Sequence, residues 1–260
     1  IKEALDGVFD IERLISRIAY ATLDARNCLA IKKTLAQLPA LQSALSRCGS
    51  ALLKRLQDGL DCMNDIHELL ESAIDEEPPA GIMDGGIIKK GYNAEIDELK
   101  EAALKGKEWI AALETTEKQQ TGIKNLKIGF NKVFGYYLEV TKSYLDLVPY
   151  RYIRKQTLAN SERFITPELK EMEEKLSGAE TTCISLEYEC FIKIRKTLSD
   201  NIKRFQNAAN AIATADMIRS FAAVAFENGY TRPKMTASGD IEIAGGRHPV
   251  VESFVKQSFV

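Results

Sequence analysis

Two stretches of this chain each carry one narrow apolar stripe, and that pattern restricts the possible folds more than any other feature. The first runs Ile96, Leu99, Ala103, Gly106, Ile110, Leu113, and the second runs Leu169, Met172, Leu176, Ala179, Cys183, Leu186, Cys190. Both alternate spacings of three and four residues, the seam pattern of a coiled coil. The second continues less regularly through Ile194, Leu198, Ile202 and Phe205. A helix with a single apolar stripe is not stable alone in water and must cover it. Because both stretches adjoin the segment 122–165, the simplest solution is an antiparallel pair with that segment at its far end. Packing of both into an ordinary helical bundle is the alternative. Thr166-Pro167-Glu168 gives the second helix an N-cap hydroxyl, a proline at its first position and an acid facing the positive end of the helix dipole. If continuous from 167 to 205, that helix would be about 58 Å long at a rise of 1.5 Å per residue.

Between the two stripes the period changes to two. Leu126, Ile128 and Phe130 alternate with Lys127, Gly129 and Asn131, and Tyr136, Leu138 and Val140 alternate with Tyr137, Glu139 and Thr141. The connecting "NKVFG" offers Asn and Gly for a hairpin turn. A third strand around Tyr152 to Leu158 completes a small antiparallel sheet. Eight of the chain's twenty aromatic residues lie in 122–165, and a sheet this small needs most of them for its own core. The same segment holds eight basic residues against three acidic ones, a net of +5, which leaves −7 of the total of −2 for the remainder. An acidic body with one basic module favours a polyanion contact at that module.

The rest of the chain reads as helical. Residues 9–75 carry helical spacing in short elements: Phe9, Ile11, Leu14, Ile15 and Ile18, then Leu35, Leu38, Leu41 and Leu45, then Leu52, Leu53, Leu56 and Leu60. Asp10 suits an N-cap and Pro39 an early helical position. The stretch "DEEPPAGIMDGGI", 75–87, has the Pro and Gly density of a loop. Fold class is therefore mainly α, a helical core with a long antiparallel arm carrying a small inserted sheet. No apolar run approaches the roughly 20 residues of a membrane span and no signal-peptide pattern opens the chain, so a soluble intracellular protein is expected, with no membrane partner. Five cysteines without CxxC spacing read as free thiols, and two histidines leave little material for a metal site or a catalytic triad. His67, in a helical "NDIHELLE", reads as a surface or boundary residue. The opening on Ile1 and the strand-like pattern at the other end suggest a piece of a longer protein.

Chemically, a small sheet with Lys, Arg, Asn, Gln, Thr and Ser near its turns suits hydrogen bonds to phosphate oxygens, which position a protein on a duplex without reading sequence. There is no recognition helix for the major groove and no arginine tract for the minor groove. A coiled-coil scaffold whose tip binds a protein partner is the competing reading. Enzymatic chemistry has little support: no G-x-x-x-x-G-K-[ST] phosphate loop occurs, and carboxylates such as those of "EMEEK", 171–175, are ordinary solvated helix charge. "GDIEIAGGRHPVVE", 239–252, reads as a glycine-flanked strand followed by an Arg-His-Pro turn.

The motifs "IGFNKVFGYYLEVTKS", "YIRKQTLANSERFITPELKE", "ENGYTRP" and "GRHPVVE" occur in this order, with a fainter "FDIERLISRIA" near the start. Together they resemble the bacterial MutS family of DNA mismatch repair over essentially the whole chain, but only the middle of the family's pattern. The resemblance implies a helical core and ascending lever helix at 1–121, a clamp sheet at 122–165, a descending lever helix and core at 166–236, and the start of an ATPase domain at 237–260. It implies double-stranded DNA as partner, held through backbone phosphates by Lys155, Gln156, Thr157 and Asn160 of "KQTLAN", with Arg154, and by Asn131 and Lys132 of the hairpin. For the longer protein it implies a DNA-dependent ATPase using ATP and Mg, a second subunit, a MutL-type repair partner and a place in the bacterial cytoplasm at the nucleoid. This chain itself is expected to have no catalytic residues, no metal and no cofactor. Two departures matter: no phenylalanine has Glu two positions on, so the family's Phe-x-Glu mismatch probe is missing, and no phosphate loop follows "GRHPVVE".

Overall fold

The computed structural model describes residues 1–131 and 133–254. It divides into two units, Ile1–Met217 and Ile218–Val260. The first unit opens with five helices: α1 (Lys2–Leu5), α2 (Ile11–Ala19), α3 (Ala25–Ser46), α4 (Ala51–Gly59) and α5 (Asn64–Ala73). Asp10 caps α2 by accepting a hydrogen bond from Arg13 N at 3.0 Å, and Asp24 caps α3 through Asn27 N at 2.7 Å. Pro39 does not begin a helix; it lies inside α3, which continues through it for 22 residues. Proline at that position leaves the Leu35 carbonyl without its helical donor, a cost on the order of 3 kcal/mol. Burial of Leu35, Leu38, Leu41 and Leu45 on one face offsets it. The apolar spacing of the sequence also overreaches at its edges, since Phe9 and Leu52 are exposed. The segment after α5 is a loop, tied at its ends by a bridge between Ile74 and Ile88.

Next come α6 (Ala94–Thr121), the inserted sheet, α7 (Pro167–Asp200) and α8 (Ile202–Glu227). Asn93 Oδ1 caps α6 by accepting from Glu95 N and Ile96 N, and Thr166 Oγ1 caps α7 by accepting from Leu169 N at 3.2 Å. The second stripe is not one continuous helix to Phe205. It breaks at Asn201, whose Nδ2 donates to Thr197 O and whose Oδ1 accepts from Arg204 Nη1, the local competition by which asparagine interrupts helices. At 34 residues, α7 alone is about 51 Å long at 1.5 Å per residue.

Helices α6 and α7 run antiparallel. Lys107 pairs with Glu180 at 3.0 Å and Lys100 with Glu187 at 2.6 Å. The seam residues Ile96, Ile110, Leu169, Leu176, Cys183 and Cys190 are buried where the helices meet. Gly106 has no room for a side chain, because a Cβ there would overlap Leu176. One charged side chain lies in this seam against expectation: Glu187 is fully buried and accepts from Gly86 N at 2.5 Å and Ile87 N at 3.3 Å. It thereby clasps the 75–87 loop onto the arm.

The insertion is a sheet of β1 (Lys127–Asn131), β2 (Gly135–Thr141), β3 (Ile153–Thr157) and β4 (Ser161–Ile165), in the order β1-β2-β4-β3 with all neighbours antiparallel. Four strands form where three were expected. The additional one, β4, is flanked on both sides and leads through Thr166 directly into α7. A 3-10 turn, Lys142–Leu147, follows β2. Leu138, Val140 and Phe164 on one sheet face pack with Ile110, Ile123, Leu126, Tyr152, Leu169 and Leu176, so the sheet core and the helix seam form a single apolar cluster.

In the second unit, the expected strand in "GDIEIAGG" does not form: Ile241 and Ile243 are exposed and no strand lies beside them among the described residues. A short helix α9 (Pro249–Phe254) follows, with His248 Nδ1 accepting from Val251 N at 3.2 Å. Among the described residues no helix is long and apolar enough to cross a membrane.

Leu176→Ala should cost about 2–5 kcal/mol of stability. Gly106→Ala, which overpacks the native contact, should raise the stability of the Leu176→Ala protein by filling its void and improving helix propensity. Urea unfolding followed by circular dichroism checks both, and equal shifts from Gly106→Ala in the two backgrounds would contradict this contact.

Candidate nucleic-acid interface

One sheet face packs on the helices, and the opposite face carries a row of polar and aromatic side chains. Its centre is Arg163 on β4. Arg163 Nε donates to Glu139 Oε2 on β2 at 2.9 Å, and Nη1 donates to Gln156 Oε1 on β3 at 3.0 Å. The guanidinium stacks over the Tyr137 ring at 4.1 Å. Tyr137 in turn lies over Gly129 of β1, where a Cβ would come within 2.7 Å of the ring. One row of side chains thus crosses all four strands.

The sequence-derived contact residues do not form one cluster. Thr157 and Asn160 are exposed at the β3–β4 turn, closed by Leu158 N donating to Ser161 O at 2.9 Å. Gln156 is half-buried on the outer face. Lys155 sits at a register irregularity between Arg154 and Gln156 and lines a groove with Phe130, Tyr136, Ile165 and Lys170. Asn131 lies at the opposite end of β2 from the β3–β4 turn, about 20 Å away at 3.3 Å per residue. Its Oδ1 accepts from Val133 N and Phe134 N, and Gly135 takes φ +76°, so Asn131 builds the hairpin turn. Lys132 lies outside the described residues.

Arg154 is in close ion contact with Glu162, Nε to Oε2 at 2.8 Å, although Glu162 Oε2 accepts no aligned hydrogen bond. Glu162 itself is buried on the inner face beside Val140 and Phe164, so Arg154 serves to neutralise it. Arg151 is likewise engaged, donating to Glu117 of α6 at 2.5 Å. The basic charge is therefore distributed differently from the plain count. Its arginines are matched by Glu117, Glu139 and Glu162. Lys124, Lys127, Lys142 and Lys155 have no ion-pair partner among the described residues.

In the sequence Lys142 stands out only as charge and not as a contact. Its backbone N donates to Asn160 O at 3.1 Å, which sets it against the β3–β4 turn. Finding it required knowing that β4 lies next to β2. The aromatic residues also divide: Tyr152 and Phe164 are buried, while Phe130 at 58%, Phe134 at 47% and Tyr150 are exposed, so fewer are core than the small sheet was expected to need. Among the described residues no group of three His, Cys, Asp or Glu side chains could hold a metal ion.

Residues 91–182 match the model of MutS family domain IV. The chain is 51% identical over 258 residues to the DNA mismatch repair protein MutS of Alkaliphilus oremlandii, covering 99% of this chain and 29% of that protein. It is 48% identical over 257 residues to the MutS of Ruminiclostridium cellulolyticum, covering 99% and 29%, and 47% identical over 260 residues to that of Halothermothrix orenii, covering 100% and 29%. The chain thus spans 29% of the length of these curated relatives.

Tyr152 anchors the start of β3 by donating its hydroxyl to the buried Glu117 at 2.7 Å. Burial first, and the Glu117 contact second, push its phenol well above the ordinary tyrosine range. A raised folded-state value means that the stabilisation is complete below pH about 10, the unfolded value, and is lost as pH rises toward the folded one. Tyr152→Phe should cost about 1–3 kcal/mol at neutral pH by leaving Glu117 short of a donor. The deficit relative to wild type should shrink above pH about 10, which unfolding titrations across alkaline pH will read.

Proposed function

With the chain placed in the MutS family by its domain IV at residues 91–182 and by similarity along its length, we propose that the sheet between α6 and α7 holds a DNA duplex through backbone phosphates in mismatch repair. The observation that supports this most is the charge left uncommitted. The sheet's glutamates are each matched by an arginine, so four lysines stand against Asp146 among the described residues of 122–165. Gln156, Thr157 and Asn160 add neutral donors near one of these lysines, Lys142, toward the β3–β4 end of the sheet. Phosphate oxygens only accept hydrogen bonds, so donors on a positive surface are the complementary chemistry. Among the described residues of 122–165 there is no α-helix to enter a groove, and contact of this kind carries no base readout.

The longer protein, on this proposal, is a mismatch-recognising ATPase using ATP and Mg, closing around DNA as two subunits and handing over to a MutL-type partner. This chain supplies the core, lever and clamp of that machine and none of its chemistry. ATP should neither raise the melting temperature of the chain nor be turned over above a protein-free control.

Duplex affinity should fall steeply with salt, and matched and mismatched duplexes should bind alike. Lys155→Ala should reduce the slope of log affinity against log salt by about 1. Asn160→Ala should weaken binding without changing the slope, because its hydrogen bond releases no counterion. Arg154→Ala should leave the slope nearly unchanged, since Glu162 already balances that charge. A fluorescence-anisotropy titration at several salt concentrations decides; clear preference for a mismatch, or a Lys155→Ala protein identical to wild type, would sink the proposal. A covalently paired chain raises the signal if one copy binds weakly.

A further inference from the structure

We propose that Arg163 is a positioning residue for the phosphate contact at Gln156, fixing the side-chain amide so that only its N–H donors face a ligand. The inference rests on the duplex-binding reading above. A free glutamine offers an acceptor and two donors, and can turn either toward a partner. Here the choice is removed. A guanidinium has donors only, so the atom of Gln156 that meets Arg163 Nη1 at 3.0 Å must be the amide oxygen. Nε2 makes no hydrogen bond among the described residues and is then the atom left for a ligand. A surface that presents N–H and withholds its oxygen accepts phosphate and rejects donors.

Arg163 is held for this role on three sides. Glu139 takes its Nε, the Tyr137 ring lies against its face, and the ring is seated because residue 129 has no side chain to displace it. Register pairing of Gln156 with Arg163, of Arg163 with Glu139 and of Gly129 with Tyr137 fixes the row across the strands. The Arg163 side chain is only 21% exposed, and its charge is matched by Glu139. It is therefore placed to orient Gln156 and not to meet the phosphate itself. A lysine could not replace it, because an ammonium cannot direct separate donors at Glu139 and Gln156 while stacking on Tyr137.

The test is a double-mutant cycle on duplex binding, with Arg163→Met combined with Glu139→Gln as a background that removes the pair without changing net charge. Gln156→Ala should weaken wild-type binding roughly tenfold, as for a hydrogen bond to a charged group, and should have almost no effect in that background. The salt slope should be the same in wild type and background. Arg163→Lys should behave like the background. Equal losses from Gln156→Ala in both backgrounds would overturn the proposal, and a slope lower by about 1 in the background would assign Arg163 to a phosphate directly. Independently of any Arg163 variant, the Gln156 side-chain amide in the free wild-type chain should be rigid by NMR relaxation; a freely averaging amide overturns the proposal even if the variants fail to fold. If the wild-type chain binds no duplex, or Gln156→Ala leaves wild-type binding untouched while the amide is rigid, the duplex contact at Gln156 falls and the proposal with it.

Discussion

The arm depends on one constraint: neither α6 nor α7 can leave its apolar stripe in water. Covering the stripes pairs the helices, and the closeness of that pairing is set by Gly106, whose missing side chain admits Leu176. Everything beyond follows from the position of that contact. Leu176, Leu169 and Ile110 extend the seam into the apolar cluster beneath the sheet, so the strands pack on a surface that the helices supply. A four-stranded sheet of such short strands has little core of its own, and it borrows one from the pair. At the other end, Glu187 uses a buried carboxylate to draw two backbone N–H groups and Lys100 together. Its burial is tolerable only because those partners are present.

Much of this was legible because periodicity reports burial directly. The two seams, the alternation in β1 and β2, the Asn131–Gly135 hairpin and the Thr166 cap all follow from residue spacing or local hydrogen bonding. The missed features share a physical cause: each depends on a partner distant in sequence. Strand β4 carries Glu162 and Arg163 at its centre, which reads as a polar run until Arg154 and Glu139 are placed opposite them. Glu187 looks like ordinary helix charge until the 84–88 backbone arrives. Pro39 suggests a boundary, yet the leucines on either side of it bury regardless.

The candidate interface was legible in composition more than in arrangement. The lysines and small polar side chains of 122–165 lie in the sheet module, but the sheet order separates Asn131 from Asn160 and brings Lys142 to the turn. The arginines illustrate why counting charge is a weak guide to a binding surface. Three of them are used to balance acids within the fold, and what remains for a partner is lysine and neutral donors.

The two helices enter the sheet unequally. Helix α6 connects to β1, an edge strand bonded along one side, whereas α7 connects through the single residue Thr166 to β4, which is bonded along both. In mechanical terms the arm has one main load path. A pull or twist along α7 reaches the middle of the sheet without slack and is shared between β2 and β3 at once. The same force along α6 acts on an outer strand and can peel only one row of hydrogen bonds. The arm is thus a stiff strut on one side and a guy-line on the other, although the two helices look alike in sequence.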